Sequence, residues 1–208
     1  MAQLLPLFPL QLVVFPRTSL PLHIFEDRYK EMVGEAIRDH TEIGIVLAKE
    51  DGIVNAGCTV YVDKVLTRYP DGRLDIVTQG FRRFELLDLN QERAFLRGTV
   101  EFFDDDLEAE PAPELKQTAI ARYQELAAAG EKRANDEAAL NDAQLSFQLA
   151  QAVPDLDFQN QLLRSRSETE RLRQLNQFLE HHIPRVRQQT RMRQLAPRNG
   201  FSHKIAGV

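Results

Sequence analysis

Ten residues, Asp104-Asp105-Asp106-Leu107-Glu108-Ala109-Glu110-Pro111-Ala112-Pro113, divide the chain into two regimes. Before them apolar residues recur mostly at strand spacing; after them they recur at helix spacing. A run that is acidic and then proline-broken supports neither period, so it reads as a solvated connector. Its five carboxylates in seven residues invite a calcium reading, but the glycine and alternating oxygen ligands of an EF-hand loop are absent. A length of 208 residues allows one or two domains. The split gives a first unit over 1–108, a second over 109–195, and a mobile tail over 196–208.

The first unit reads as sheet with one inserted helix. Residues 4–14 are apolar but carry Pro6 and Pro9, which suits an edge strand or two short strands with a bulge. Tyr29, Met32, Val33, Ala36 and Ile37 then fall on one face of an amphipathic helix over 26–39. Glu26 and Asp27 complement the positive end of its dipole. The run Ile43-Gly44-Ile45-Val46-Leu47-Ala48 predicts a strand buried on both faces. Residues 59–69 and 73–79 flank Pro70-Asp71-Gly72, a turn signal, and form a β-hairpin. Gly80 interrupts the second arm, as at a bulge or barrel corner. Ala94, Leu96, Val100 and Phe102 alternate along a last strand. Five or six closely spaced strands indicate a small barrel or sandwich.

The second unit reads as a helical bundle. Helices are predicted over 114–129, with Gly130 as C-terminal cap, and over 136–153, burying Leu145, Leu149 and Ala152. A short helix follows over 158–164. Ser167 with Glu170 forms a capping box that opens the last helix. Leu172, Leu175, Leu179 and Ile183 make its apolar stripe. Pro184 is expected to kink or stop it near His182. The fold class is therefore α+β: a β-barrel lobe with one inserted helix, then a C-terminal helical bundle.

Apolar residues at 43% and charged residues at 27% exclude a disordered chain, a collagen-like repeat and a disulfide scaffold. No window approaches the 18 or so consecutive apolar residues of a membrane helix. The apolar start lacks a basic region and carries Pro6, Pro9 and Pro16, so it makes a poor signal peptide. The single cysteine, Cys58, fits a reducing cytoplasm. Its apolar strand setting favours a small buried hydrophobe over a nucleophile. The net charge of −5 is uneven: residues 164–208 hold ten Lys or Arg against three Glu, a balance of +7, and residues 1–163 carry −12. The acidic body itself is the simplest partner for the basic end.

The opening Leu5-Pro6-Leu7-Phe8-Pro9-Leu10, then Val14-Phe15-Pro16 and Leu20-Pro21-Leu22-His23-Ile24-Phe25-Glu26-Asp27-Arg28-Tyr29, resembles the start of the Lon protease N-terminal domain family. Gly44-Ile45-Val46-Leu47, Gly57-Cys58-Thr59-Val60, Pro70-Asp71-Gly72-Arg73-Leu74 and Gly80-Phe81-Arg82-Arg83-Phe84 agree in order. The resemblance covers most of 4–103 and, more loosely, the helices to about residue 190. It implies a PUA-like barrel followed by helices, in a bacterial, cytoplasmic, non-catalytic protein. In full Lon proteases this domain precedes an ATPase and a peptidase. Here the only glycines at P-loop spacing, Gly52 and Gly57, are followed by Cys58 rather than lysine. None of Ser19, Ser146, Ser165, Ser167 or Ser202 lies in a sequence like the family's nucleophile motif.

Two functional readings follow, neither with a cofactor or metal. The first is a protein-binding module that captures unfolded or tagged polypeptides, with a protease as candidate partner. Its groove is expected where barrel and helices meet, near Phe15, Arg17, Phe25, Tyr69 and Arg82. The second is RNA binding through Arg185, Arg187, Arg191 and Arg193. The acidic body, a pI near 5.6 and the absence of tryptophan weigh against it. An enzyme acting on a small molecule has no residue set behind it. His181-His182 lacks a third ligand at metal spacing and reads as a solvated helix end. Glu26 and Arg28 read as structural. Arg82 and Arg83 alternate along a strand, so at most one faces inward.

Overall fold

A computed structural model describes residues 2–130 and 139–195. Its elements follow in the order β1 (Gln3–Leu10), β2 (Ser19–Ile24), α1 (Asp27–Asp39), β3 (Ile43–Lys49), β4 (Gly52–Arg68), β5 (Leu74–Asn90), β6 (Arg97–Phe103), α2 (Pro113–Ala128), α3 (Leu145–Ala150), α4 (Leu156–Arg164) and α5 (Glu168–Leu195). The architecture is α+β, as the sequence predicts. The strands lie in the order β2-β5-β4-β3-β1-β6, and β6 pairs back onto β5. Five strands therefore close a barrel, and β2 is attached outside the closure.

β5 has three neighbours because its two halves part company. Leu74 to Gln79 pair with β2, whereas Arg83 to Asn90 pair with β6. The change falls at Gly80, opposite Val60, where the register with β4 shifts. A Cβ on Gly80 would sit 2.0 Å from the Phe15 carbonyl oxygen, so only glycine lets the loop before β2 cross here. The predicted bulge is present.

The closed barrel has an apolar core on each face of its sheet. Inside the barrel, Leu5, Leu7, Val46, Phe84 and Val100 form one cluster. Leu7 and Phe84 fill the space above Gly44 and Gly57: a Cβ there would lie 2.8 Å from Leu7 Cδ2 and 2.5 Å from Phe84 Cζ respectively. On the outer face, Phe8, Ile45, Cys58, Val60 and Ile76 join Met32 and Val33 of α1. They continue without a break into Phe147, Leu162, Leu172 and Leu175 of the helices. Each such side chain contributes about 1.5–3 kcal/mol by leaving water.

β1 is not an edge strand. Its first half pairs antiparallel with β6 and its second half parallel with β3. This staggering leaves each half paired in register on one side, which is where proline is tolerated. The expected helix over 136–153 shrinks to α3. Residues 136–138 lie outside the described residues, and in the turns before α3 Asp142 Oδ1 accepts from the Gln144 amide. Such local side-chain bonds compete with helix formation. Leu145, Leu149 and Ala152 are nonetheless buried.

α5 runs through Pro184 without stopping. Ile183 and Val186 are buried on either side of it. Further on, Thr190 Oγ1 donates to the Ala129 carbonyl at 2.9 Å and Arg187 pairs with Glu125 at 3.2 Å. Packing against α2 holds the helix where intrinsic propensity would break it.

The acidic connector is only partly solvated. Asp105 accepts from Arg83 of β5 at 2.5 Å and from Arg171 of α5 at 2.6 and 2.7 Å. Arg171 also bonds Glu168 and Ser146 Oγ, while Arg83 reaches the Leu163 and Ser165 carbonyls. Both guanidinium groups stand over the Phe147 ring, 5.3 and 4.2 Å from its centroid. Arg171 is fully buried and Arg83 nearly so. Burial pushes the Asp105 carboxyl upward in pKa, but the Arg171 and Arg83 cations outweigh it and hold it below the ordinary range. This clamp ties barrel, connector and helices together.

Candidate functional site

The β4–β5 hairpin and β2 form a three-stranded extension whose two faces differ. Register places Ser19 beside Gln79 and Tyr61, Pro21 beside Val77 and Lys64, and His23 beside Asp75 and Thr67. The intervening residues Ile24, Leu74, Ile76 and Thr78 turn into the core and are buried. The first set is exposed or half-exposed. Period-two alternation therefore produces an uncovered sheet face about 20 Å long between Asp75 and Phe81, at about 3.3 Å per residue.

Aromatic side chains stand at both ends of this face. Phe25 is 59% exposed and Phe81 51%. At one end His23 stacks on Phe25 and meets Tyr69 edge-on, each at 6.0 Å between centroids. At the other, Tyr61 meets Phe81 edge-on at 6.1 Å. Val77 and Pro21 lie between them.

A polar frame fixes the aromatic rings. Asp75 Oδ1 lies 2.6 Å from His23 Nδ1, and Tyr69 donates its hydroxyl to Asp75 Oδ2 at 2.7 Å. The bonds from His23 and then Tyr69 hold the Asp75 carboxyl below its usual pKa, and the same contact raises the Tyr69 phenol. The Arg73 guanidinium covers the Tyr69 ring at 4.9 Å. At the opposite end, Arg82 forks onto Glu42 at 2.7 and 3.1 Å and stacks on Phe102 at 3.7 Å. The arrangement presents apolar rings to solvent within a frame of ion pairs and hydrogen bonds.

Of the five residues predicted for a groove, Phe25, Tyr69 and Arg82 border this face. Phe15 does not: it is fully buried and stacks on Phe147 at 5.2 Å between centroids. Arg17 lies where the loop before β2 meets the helices. It has a positive φ of 62° and pairs with Asp142 at 3.0 Å. Tyr61, Phe81 and His23 went unrecognised, although strict alternation in Ser19-Leu20-Pro21-Leu22-His23-Ile24 carries the signal for an exposed side. Arg185, Arg187, Arg191 and Arg193 lie along the end of α5, and Arg187 is engaged with Glu125 of α2. Arg83 faces inward and Arg82 does not, as alternation requires. Cys58 is wholly buried, and burial pushes its thiol up to about 12. Among the described residues no group of His, Cys, Asp and Glu could hold a metal ion.

Residues 4–181 match the model of the ATP-dependent protease La (LON) substrate-binding domain. The chain belongs to this family. A Lon protease from Parabacteroides distasonis is 30% identical over 110 residues, and Lon protease 1 from Hydrogenovibrio crunogenus is 29% identical over 129. These alignments cover 49% and 58% of this chain but only 13% and 16% of those proteins. A crystal structure of a Lon N-terminal domain protein from Xanthomonas campestris superposes with a TM-score of 0.67 at 26% identity. It covers 83% of this chain and 96% of that one. The N-terminal domain of Mycobacterium avium complex Lon protease has the same fold, with a TM-score of 0.61 at 21% identity, covering 86% of this chain and all of that one. The nucleic-acid reading gains no support from these relatives. Among the described residues no helix is long and apolar enough to cross a membrane.

Proposed function

We propose that this chain is a non-catalytic polypeptide-binding module of the Lon substrate-binding type, and that the open face of β2, β5 and β4 receives extended apolar segments. The observation that carries this reading is an uncovered sheet face ending in aromatic pairs, His23–Phe25 and Tyr61–Phe81. A peptide laid along it would bury several rings, each contributing about 1.5–3 kcal/mol. Part of that is lost to ordering the peptide, so micromolar affinity is the expectation. Sequence tolerance follows from the chemistry, because rings select for apolar surface rather than for a particular side chain.

In this reading residues 1–108 carry the binding face and residues 109–195 brace it through the Asp105 clamp. The module works in the cytoplasm and passes its ligand to a protease. The test is a titration of a fluorescently labelled, permanently unfolded polypeptide without nucleotide. Saturable binding, about tenfold weaker when Phe25 and Phe81 are both changed to alanine, supports the reading. Absence of signal at high micromolar protein, or equal binding by the double variant, overturns it.

A further inference from the structure

A second surface lies on the helices, away from the open sheet face. α4 and α5 run antiparallel, with Gln161 opposite Gln174 and Phe158 opposite Phe178. Between them is a groove of about 340 Å3. Its floor is a ladder of rings: Phe158 stacks on Phe178 at 4.5 Å, and Phe178 meets His182 at 5.3 Å. All three are only half-buried. Gln177, His181 and Arg185 line the exposed side. These α5 positions follow helical spacing, and the stripe continues to Met192, which is 63% exposed.

The charge of this groove has one sign. No aspartate or glutamate lines it. The carboxylates on its two helices are committed elsewhere: Asp155 caps α4 through the Phe158 amide, Asp157 pairs with Lys49, Glu168 pairs with Arg171, and Glu180 pairs with Arg122 on the α2 side. Glu170 accepts from Gln174 at the end remote from Arg185. Among the described residues, no carboxylate lies within ion-pair distance of Arg185. The rest of the protein is acidic, with residues 1–163 at −12, so an anionic ligand is repelled elsewhere and drawn here.

We infer that the α4–α5 groove docks an acidic amphipathic segment of a partner protein, its apolar side chains on the Phe158–Phe178–His182 ladder and its carboxylates against Arg185. The mode is a short helix laid in a groove, with anchors about one turn apart. This interaction is separate from polypeptide capture on the sheet and does not depend on it.

The probe is a labelled synthetic peptide of glutamate and leucine with one phenylalanine, apolar at helical spacing, followed by fluorescence anisotropy. The expected result is saturable binding that weakens as salt rises and falls about tenfold in Arg185→Glu. Arg185→Lys should retain most of the affinity, and the double alanine change at Phe25 and Phe81 should leave it unaltered. Arg185 is exposed, so circular dichroism of Arg185→Glu should match the parent. No binding at high micromolar protein, equal binding of a lysine-for-glutamate peptide, or wild-type affinity in Arg185→Glu would each overturn the inference. So would a single-stranded RNA oligonucleotide that competes through Arg185 as well as the acidic peptide does.

Discussion

Arg171 is buried without any exposed surface, yet its charge is satisfied on every side by Asp105, Glu168, Ser146 and the Ser165 carbonyl. Removing one member of such a set leaves the others uncompensated, which costs about 3–5 kcal/mol. Asp105→Asn should therefore destabilise the protein by roughly that amount in urea unfolding. The pH dependence has a definite sign. Asp105 titrates below its unfolded value, so its stabilisation is complete above about pH 4 and is lost as pH falls through the depressed value. Asp105→Asn should flatten that acid limb. Cys58 makes the opposite case of a group kept neutral. With its thiol pushed up to about 12 and no exposed surface, it should be inert to a thiol reagent at pH 8 until the protein is unfolded. Prompt reaction in the native state would contradict the packing described here.

At the scale of elements, the local signals were legible where neighbours along the chain decide the outcome. The Pro70-Asp71-Gly72 turn, the helix face of Tyr29, Met32, Val33 and Ala36, and the Ser167 cap each announce themselves within a few residues. Ser167 Oγ accepts from the Glu170 amide, which is one half of the capping box, while the Glu170 carboxylate accepts from Gln174 instead. What the sequence concealed depends on distant partners. Pro6 and Pro9 read as an edge strand or two short strands, and β1 is one strand whose halves pair with two different partners, β6 and then β3. Pro184 read as a kink or a stop, and α5 does not stop there because α2 holds it beyond the proline. The open sheet face was half legible for the same reason. Phe25 stands in a recognisable motif and Tyr69 beside a turn signal, whereas Tyr61 meets Phe81 only through the β4–β5 register. Phe15, in an equally recognisable motif, packs inward on Phe147. Because Pro184 is tolerated rather than required, Pro184→Ala should stabilise the protein by about 1–3 kcal/mol, read as a higher melting temperature. Gly80→Ala should do the reverse. Its Cβ cannot coexist with the Phe15 carbonyl 2.0 Å away, and forcing backbone apart costs about 1–3 kcal/mol or more.

The whole molecule keeps one surface of its sheet dry and another open. The inner and outer cores cover the barrel on both faces, while the extension of β2, β5 and β4 leaves its far side to solvent. The proposed binding face thus lies on a sheet braced from behind rather than on a loop, so recognition there would require little rearrangement. The measurement closest to this claim is a titration of an unlabelled apolar unfolded peptide into the isotope-labelled protein, followed by amide chemical shifts. Binding on the open face predicts shifts that progress with peptide concentration and cluster in residues 19–25, 61–69 and 75–81. Shifts confined to the helices, or none at saturating peptide, would contradict it.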